Sequence, residues 1–199
     1  MKPLFYVSAI FLFLLCSCHR ETKPAGQKVT FGIHEIAKVN TIPAAILDTL
    51  RSKGVQLENS QSQFIIGYIT KDDSMALKSD FSAQYLKIVK TYYPVDEDQK
   101  YYAIVAISPN AVINNNNISK AEADGNNVTL YFNFTGSKKW ADLTKKNIGN
   151  QLAFVIDNQI YSMPLINGEI RNGMAIISGF KSNKTARKVS EDLNFSREK

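Results

Sequence analysis

Cysteine is nearly missing from this chain: of 199 residues the cysteines are Cys16 and Cys18, both near the start. Everything after Cys18 therefore folds without a disulfide framework and offers no thiol for nucleophilic catalysis or zinc binding. Histidine is almost as scarce, at His19 in a polar segment and His34 in an alternating one. Neither has a second His, or a Cys beyond residue 18, with which to share a metal. There is no glycine-rich phosphate loop, since Asn167-Gly168-Glu169 reads as a turn. Asp72-Asp73 and Asp96-Glu97-Asp98 lack the alternating oxygen ligands and central glycine of a calcium loop, so solvated turns are expected there. These absences imply no cofactor, no metal and no enzyme activity. Long apolar runs are scarce too. The stretch from Leu4 to Leu15, with Ser8 its one polar residue, is the length of an export signal, shorter than the about twenty residues of a membrane-crossing helix.

What stands around that stretch is informative. Lys2 supplies a positive start, and the run ends in Leu15-Cys16-Ser17-Cys18. An aliphatic residue at −3, a small one at −1 and then cysteine resemble the bacterial lipobox, in which the thiol takes a diacylglycerol and a peptidase cuts beside it. On this reading residues 1–17 are a signal peptide, Cys16 leaves with it, and Cys18 is the lipidated residue that holds the chain to a membrane. One acyl chain anchors only weakly, and the triacylated cysteine of such lipoproteins answers that requirement. An uncleaved anchor or an ordinary secretory signal is the alternative. Residues 18–27, polar with Pro24 and Gly26, read as a tether. The expected place is the bacterial cell envelope, at the inner or outer membrane, with the domain facing periplasm or cell exterior.

The whole chain is 44% apolar, which is a foldable composition. Net charge is +6 with scattered lysines, and Lys138-Lys139 and Lys145-Lys146 read as solvated helix faces. No nucleic-acid partner is expected; weak attraction to anionic lipid headgroups suits the location better. Asn-X-Ser/Thr triplets begin at Asn117, Asn127, Asn133 and Asn183, as chance supplies in an asparagine-rich chain. Asp73-Ser74-Met75 matches an Asp-Ser/Thr-apolar pattern and makes Ser74 a candidate for O-glycosylation.

Periodicity gives the elements. Residues 28–36 alternate as a strand, with Val29, Phe31, Ile33 and Glu35 on one face. Thr41-Ile42-Pro43 marks a helix start, Ile46, Leu47 and Leu50 its apolar face, and Gly54 its end. Phe64–Ile69 and Tyr101–Ile107 read as strands, the second half of 72–93 as a helix, and Asn114–Asn117 as a loop. Val128, Leu130, Phe132 and Phe134 alternate; Gly136 opens a helix that Gly149 stops; Leu152–Ile156 and Ile160–Leu165 form a hairpin across Asp157-Asn158. Ala175–Gly179 and a helix over Ser182–Leu193 complete an expected α+β fold: a two-layer sandwich of a mixed, mainly antiparallel sheet with helices packed on one face.

From Gly136 onward the residues resemble a family. Leu143-Thr144, Asn147-Ile148-Gly149, Leu152-Ala153, Val155-Ile156-Asp157, Ser162-Met163-Pro164-Leu165-Ile166, Ile170, Gly173 and Ile177-Ser178-Gly179 resemble the head subdomain of the first periplasmic region of SecD and SecDF. With Tyr101–Asp124 similar to its entry strand and loop, the resemblance covers residues 101–199, after an N-terminal α+β part over 28–100. It implies that Gly136, Gly149, Asp157, Pro164, Gly173 and Gly179 specify the fold and need not be catalytic. It also implies a link to protein export. SecD proteins continue into a transmembrane bundle driven by protons; the expectation here is a passive head-like module on a lipid. Two functions follow: a non-enzymatic module that binds protein clients or a membrane complex in export or envelope biogenesis, or a lipoprotein that binds a small molecule or peptide.

Overall fold

The computed structural model describes residues 26–58, 62–75, 82–83, 86–93, 95, 98 and 100–197. Cys18, the expected signal peptide over residues 1–17 and most of the expected tether lie outside the described residues.

Twelve strands and three α-helices make up the described part. β1 (Phe31–Glu35) is followed by a 3-10 turn at Val39–Thr41 and by α1 (Ala44–Ser52). Thr41 therefore closes that turn, and Pro43 occupies the cap position of α1, where its fixed φ and missing N–H cost nothing. Gly54, at φ +85°, ends the helix as expected. β2 (Gln56–Leu57), β3 (Ile65–Thr70), β4 (Ser82–Ala83), β5 (Leu86–Thr91) and β6 (Tyr101–Ile107) come next. The helix expected in the second half of 72–93 is instead the strand β5. Ile88, Val89 and Thr91 are β-branched, and β5 lies inside the sheet between β6 and a later strand, with apolar residues buried on both faces. Such a run carries no period of two and so imitates a helix.

β7 (Ile113–Asn114), β8 (Ile118–Asp124) and β9 (Asn127–Phe132) lead into α2 (Phe134–Lys146). β8 shows no period of two in sequence, because its buried residues, Ile118 and Ala121, stand three apart with Ser119 and Lys120 exposed between them. Phe134 is helical and 82% exposed, not the last residue of β9. Asn133 is the reason: its Oδ1 accepts the N–H of Gly136 at 2.9 Å and caps α2, so the helix begins before Gly136. β10 (Leu152–Ile156), β11 (Gln159–Ser162), β12 (Met174–Ile177) and α3 (Asn183–Arg197) complete the order.

The strands form two sheets. The larger runs β2-β3-β6-β5-β11-β10-β1-β7, with β4 also on β5, and every pairing is antiparallel except β5 with β11. The smaller is antiparallel, in the order β12-β9-β8. The α+β class and the mixed, mainly antiparallel sheet stand as read; the second sheet is new. The larger sheet does not divide near residue 100, because β1 pairs with β10 along its whole length.

Alternation on β10 distributes the core. Leu152, Phe154 and Ile156 join Phe31 and Ile33 against the smaller sheet, α2 and α3, while Ala153 and Val155 pack with Val89, Val105, Ile107 and Ile160 on the other face. A third cluster, with Leu50, Ile66, Ile69, Ile88 and Ile104, seats α1. In the first cluster the rings of Phe132, Trp140, Phe154 and Phe31 follow one another at centroid distances of 5.7, 6.1 and 6.5 Å.

Candidate functional site

Asparagine side chains close several edges of this fold. Asn115 Oδ1 accepts the N–H of Phe31 at 2.8 Å, and its Nδ2 donates to the carbonyl of Val29, so its amide extends the pairing of β1 past the two residues of β7. Asn194 on α3 does the same for β8. Its Oδ1 accepts the N–H of Ala121 at 2.9 Å and its Nδ2 donates to the Ala121 carbonyl at 2.8 Å. An exposed strand edge invites pairing with another chain, and a helix laid along it removes the invitation.

Among the described residues, the opposite edge of the smaller sheet, β12, has no such cover. The N–H of Phe132 donates to the Gly173 carbonyl at 2.9 Å, so Gly173, Ala175 and Ile177 turn their amide groups toward β9. Met174 and Ile176 turn theirs outward. The Met174 N–H is satisfied by Asn172 Oδ1 at 3.1 Å, whereas the N–H and C=O of Ile176 meet no partner among the described residues. Beside this edge runs a solvent-open groove lined by Trp140, Phe154, Pro164, Leu165, Ile170 and Ile176. Leu165 is 55% exposed and Ile176 54%. The indole N–H of Trp140, itself 2% exposed, meets no acceptor among the described residues. A free strand edge beside an apolar trough matches an extended polypeptide, with main-chain bonds supplying affinity and pockets accepting alternate side chains.

Of the fold residues singled out in sequence, Pro164 lines this groove, while Gly136, Gly149, Asp157, Gly173 and Gly179 set turns, caps and close approaches elsewhere in the fold. The carbonyl of Pro164 accepts the N–H of Leu152 at 3.2 Å, and flanking bonds join Ile166 to Gly149 and Asn150, so a proline that cannot donate costs nothing there. Gly149 has φ +80° just past the end of α2. Gly136 sits where a Cβ would lie 2.4 Å from the carbonyl oxygen of Asn117, which lets α2 close on the preceding turn. Gly173, at φ +68°, faces the hydroxyl of Ser137, and Gly179 has φ +85° before α3. Asp157 and Asn158 both have positive φ, the turn that joins twisted antiparallel strands, and Asp157 Oδ1 also accepts the N–H of Thr30 at 2.8 Å.

Ser74 lies elsewhere and is 3% exposed. Its hydroxyl donates to the Lys71 carbonyl at 2.7 Å and accepts from Lys90 Nζ at 3.0 Å. His34 is buried in β1; its Nδ1–H donates to the Ser108 carbonyl at 2.7 Å, and burial holds the ring below its ordinary pKa. Among the described residues no group of three or more His, Cys, Asp or Glu is placed to hold a metal ion. Next to His34, burial of Glu35 disfavours its charge, but hydrogen bonds from Asn147 (3.0 Å) and Lys146 outweigh it and keep the carboxyl below its usual range. That contact pins the end of α2 to β1. No helix of the described residues is long and apolar enough to cross a membrane. The groove and the asparagine caps were missed in the sequence; the one available signal was Ile176 standing polar-side in an otherwise alternating strand.

An α+β head with two sheets and a free edge on the smaller one is the class this geometry defines. The family described as SecDF, P1 head subdomain, matches residues 89–195, more than half of the chain, and the chain belongs to it. It is 44% identical over 71 residues to protein translocase subunit SecD of Acidaminococcus fermentans, covering 34% of this chain and 17% of that protein. With SecD of Rickettsia felis it shares 35% over 114 residues, 50% of this chain and 22% of that one. The chain thus spans less than a quarter of the length of these relatives. Among solved structures it is similar to a SecDF described as a membrane component that enhances protein export, at a TM-score of 0.48 and 22% identity, covering 85% of this chain and 64% of that one.

Proposed function

We propose that this chain is a lipid-anchored, non-enzymatic protein of the bacterial envelope whose SecD-head-like domain binds extended segments of client proteins during export or envelope biogenesis. The observation that carries the reading is the uncovered edge of β12 beside the apolar groove, on a sheet whose other edge is closed by Asn194. Membership in the head-subdomain family supports the connection with export. Lipid on Cys18 would hold the groove near a membrane without transmitting force.

The test places a photocrosslinking side chain at Ile176 of the membrane-attached full chain and, for comparison, at Phe134, which is 82% exposed. A permanently unfolded carboxymethylated protein is the client. Capture at Ile176 should exceed capture at Phe134 several-fold and fall when an extended apolar peptide competes. Equal capture at both positions would overturn the proposal.

A further inference from the structure

The chain enters the described domain along one helix. Gly26 lies so close to α3 that a Cβ on it would sit 2.6 Å from Phe195 Cβ and 3.0 Å from the Glu191 carbonyl oxygen. The Gln27 N–H donates to Asp192 Oδ1 at 2.7 Å, and the Val29 N–H to Ser196 Oγ at 2.7 Å. Cys18 and Gly26 are eight positions apart along the chain, so the lipidated residue can lie no more than about 29 Å from this face of α3. A domain held that closely keeps the tethered side within reach of the membrane surface.

That side is basic. Lys184, Arg187 and Lys188 are exposed on α3 and, with Gly26, line a shallow groove. Exposed Lys28 and Arg197 stand at the same end of the domain, next to the two backbone anchors. The acidic residues of α3 leave a positive balance. Buried Asp192 accepts from Gln27 and pairs with Lys188 Nζ at 2.8 Å, offsetting that lysine, and exposed Glu191 offsets one more charge, against Lys28, Lys184, Arg187 and Arg197. Phe195, 44% exposed beside Gly26, adds a ring suited to the headgroup region. From the exit point of the tether and the charge around it, and resting on the lipid-anchor reading above, we infer that the outer face of α3 docks on anionic lipid headgroups. Lys184 and Arg187 are the principal contacts. Docking there fixes how the head stands on the membrane, which a flexible tether alone leaves free.

The test uses the full lipidated chain in vesicles of phosphatidylcholine with or without phosphatidylglycerol. The sequence has no cysteine beyond Cys18, so N183C and, separately, F134C give single labelling sites for a fluorophore. A headgroup-attached quencher should quench the label at 183 far more than the label at 134 in anionic vesicles, and equally in neutral ones. K184Q and R187Q should each lower the docked-to-undocked ratio by about fivefold, and high salt should abolish the difference. Co-flotation with the vesicles, together with equal quenching at both sites in anionic vesicles, would overturn the docking inference and leave the anchor standing. Failure to co-float would overturn both.

Discussion

The rings of Tyr92 and Tyr161 stack with centroids 4.1 Å apart and planes 16° from parallel. Tyr92 follows β5 and Tyr161 lies in β11, so the stack sits at the one parallel junction of the larger sheet. The Tyr92 N–H also donates to the Ile160 carbonyl at 2.7 Å. A double-mutant cycle with Y92L and Y161L should give a coupling of about 0.5–1.5 kcal/mol in urea unfolding; strictly additive losses would show that the rings do not cooperate. Burial, reinforced by Tyr92, pushes the Tyr161 hydroxyl above its ordinary value. Its contribution to stability is therefore fully present below about pH 10 and lost as the pH rises beyond.

Gly136 stands in the first turn of α2 and Gly149 just past its end for different reasons, and alanine at each separates them. At Gly136 the new methyl would meet backbone, so G136A should cost about 1–3 kcal/mol through displacement of α2 from the Asn117 turn. At Gly149 there is open space but φ is +80°, so G149A should cost about 1 kcal/mol and G149N less. Thermal unfolding followed by circular dichroism gives both values, and reversal of the G149A and G149N order would refute the conformational account.

His34 provides a pH test. Its folded pKa is lowered, chiefly by burial, so the unfolded chain binds the extra proton first. Stability should be full above about pH 6.5 and fall as the pH drops from there through the folded value. This range lies above the main carboxylate titrations. H34N keeps a donor for the Ser108 carbonyl and cannot be protonated, so its stability should be flat between pH 7 and 5. An unchanged slope in H34N would assign the effect to another group.

Asn194 tests the covered edge. N194A removes both bonds to Ala121, leaving a strand edge with unpaired groups, and should destabilise by about 1–3 kcal/mol. N194D keeps the acceptor for the Ala121 N–H but sets a charge against its carbonyl, so it should not rescue. Equilibrium unfolding measures both, and a loss below about 0.3 kcal/mol in N194A would show that water replaces the amide freely.

The elements whose burial is one-sided and whose ends carry turn chemistry are legible in the chain alone. α1 ends at Gly54, the β10–β11 hairpin turns at Asp157-Asn158, and α3 repeats Ala186, Val189 and Leu193, because period and backbone preference are local properties. The matched residues from Gly136 to Gly179 located the family for the same reason: each answers a local demand of turn, cap or close approach. Only the tertiary structure decided that β5 is a strand, because burial on both faces erases its period and its partners β6 and β11 come later in the chain. It also decided which edge of the smaller sheet is closed. Asn194 reaches Ala121 across 73 residues, and Asn115 reaches Phe31 across 84. Asparagine serves there as a piece of backbone, and a piece of backbone is recognisable only by what it is bonded to. The open edge at Ile176 follows from the same three-dimensional arrangement, since a strand is an edge only in relation to the neighbours that the whole fold gives it.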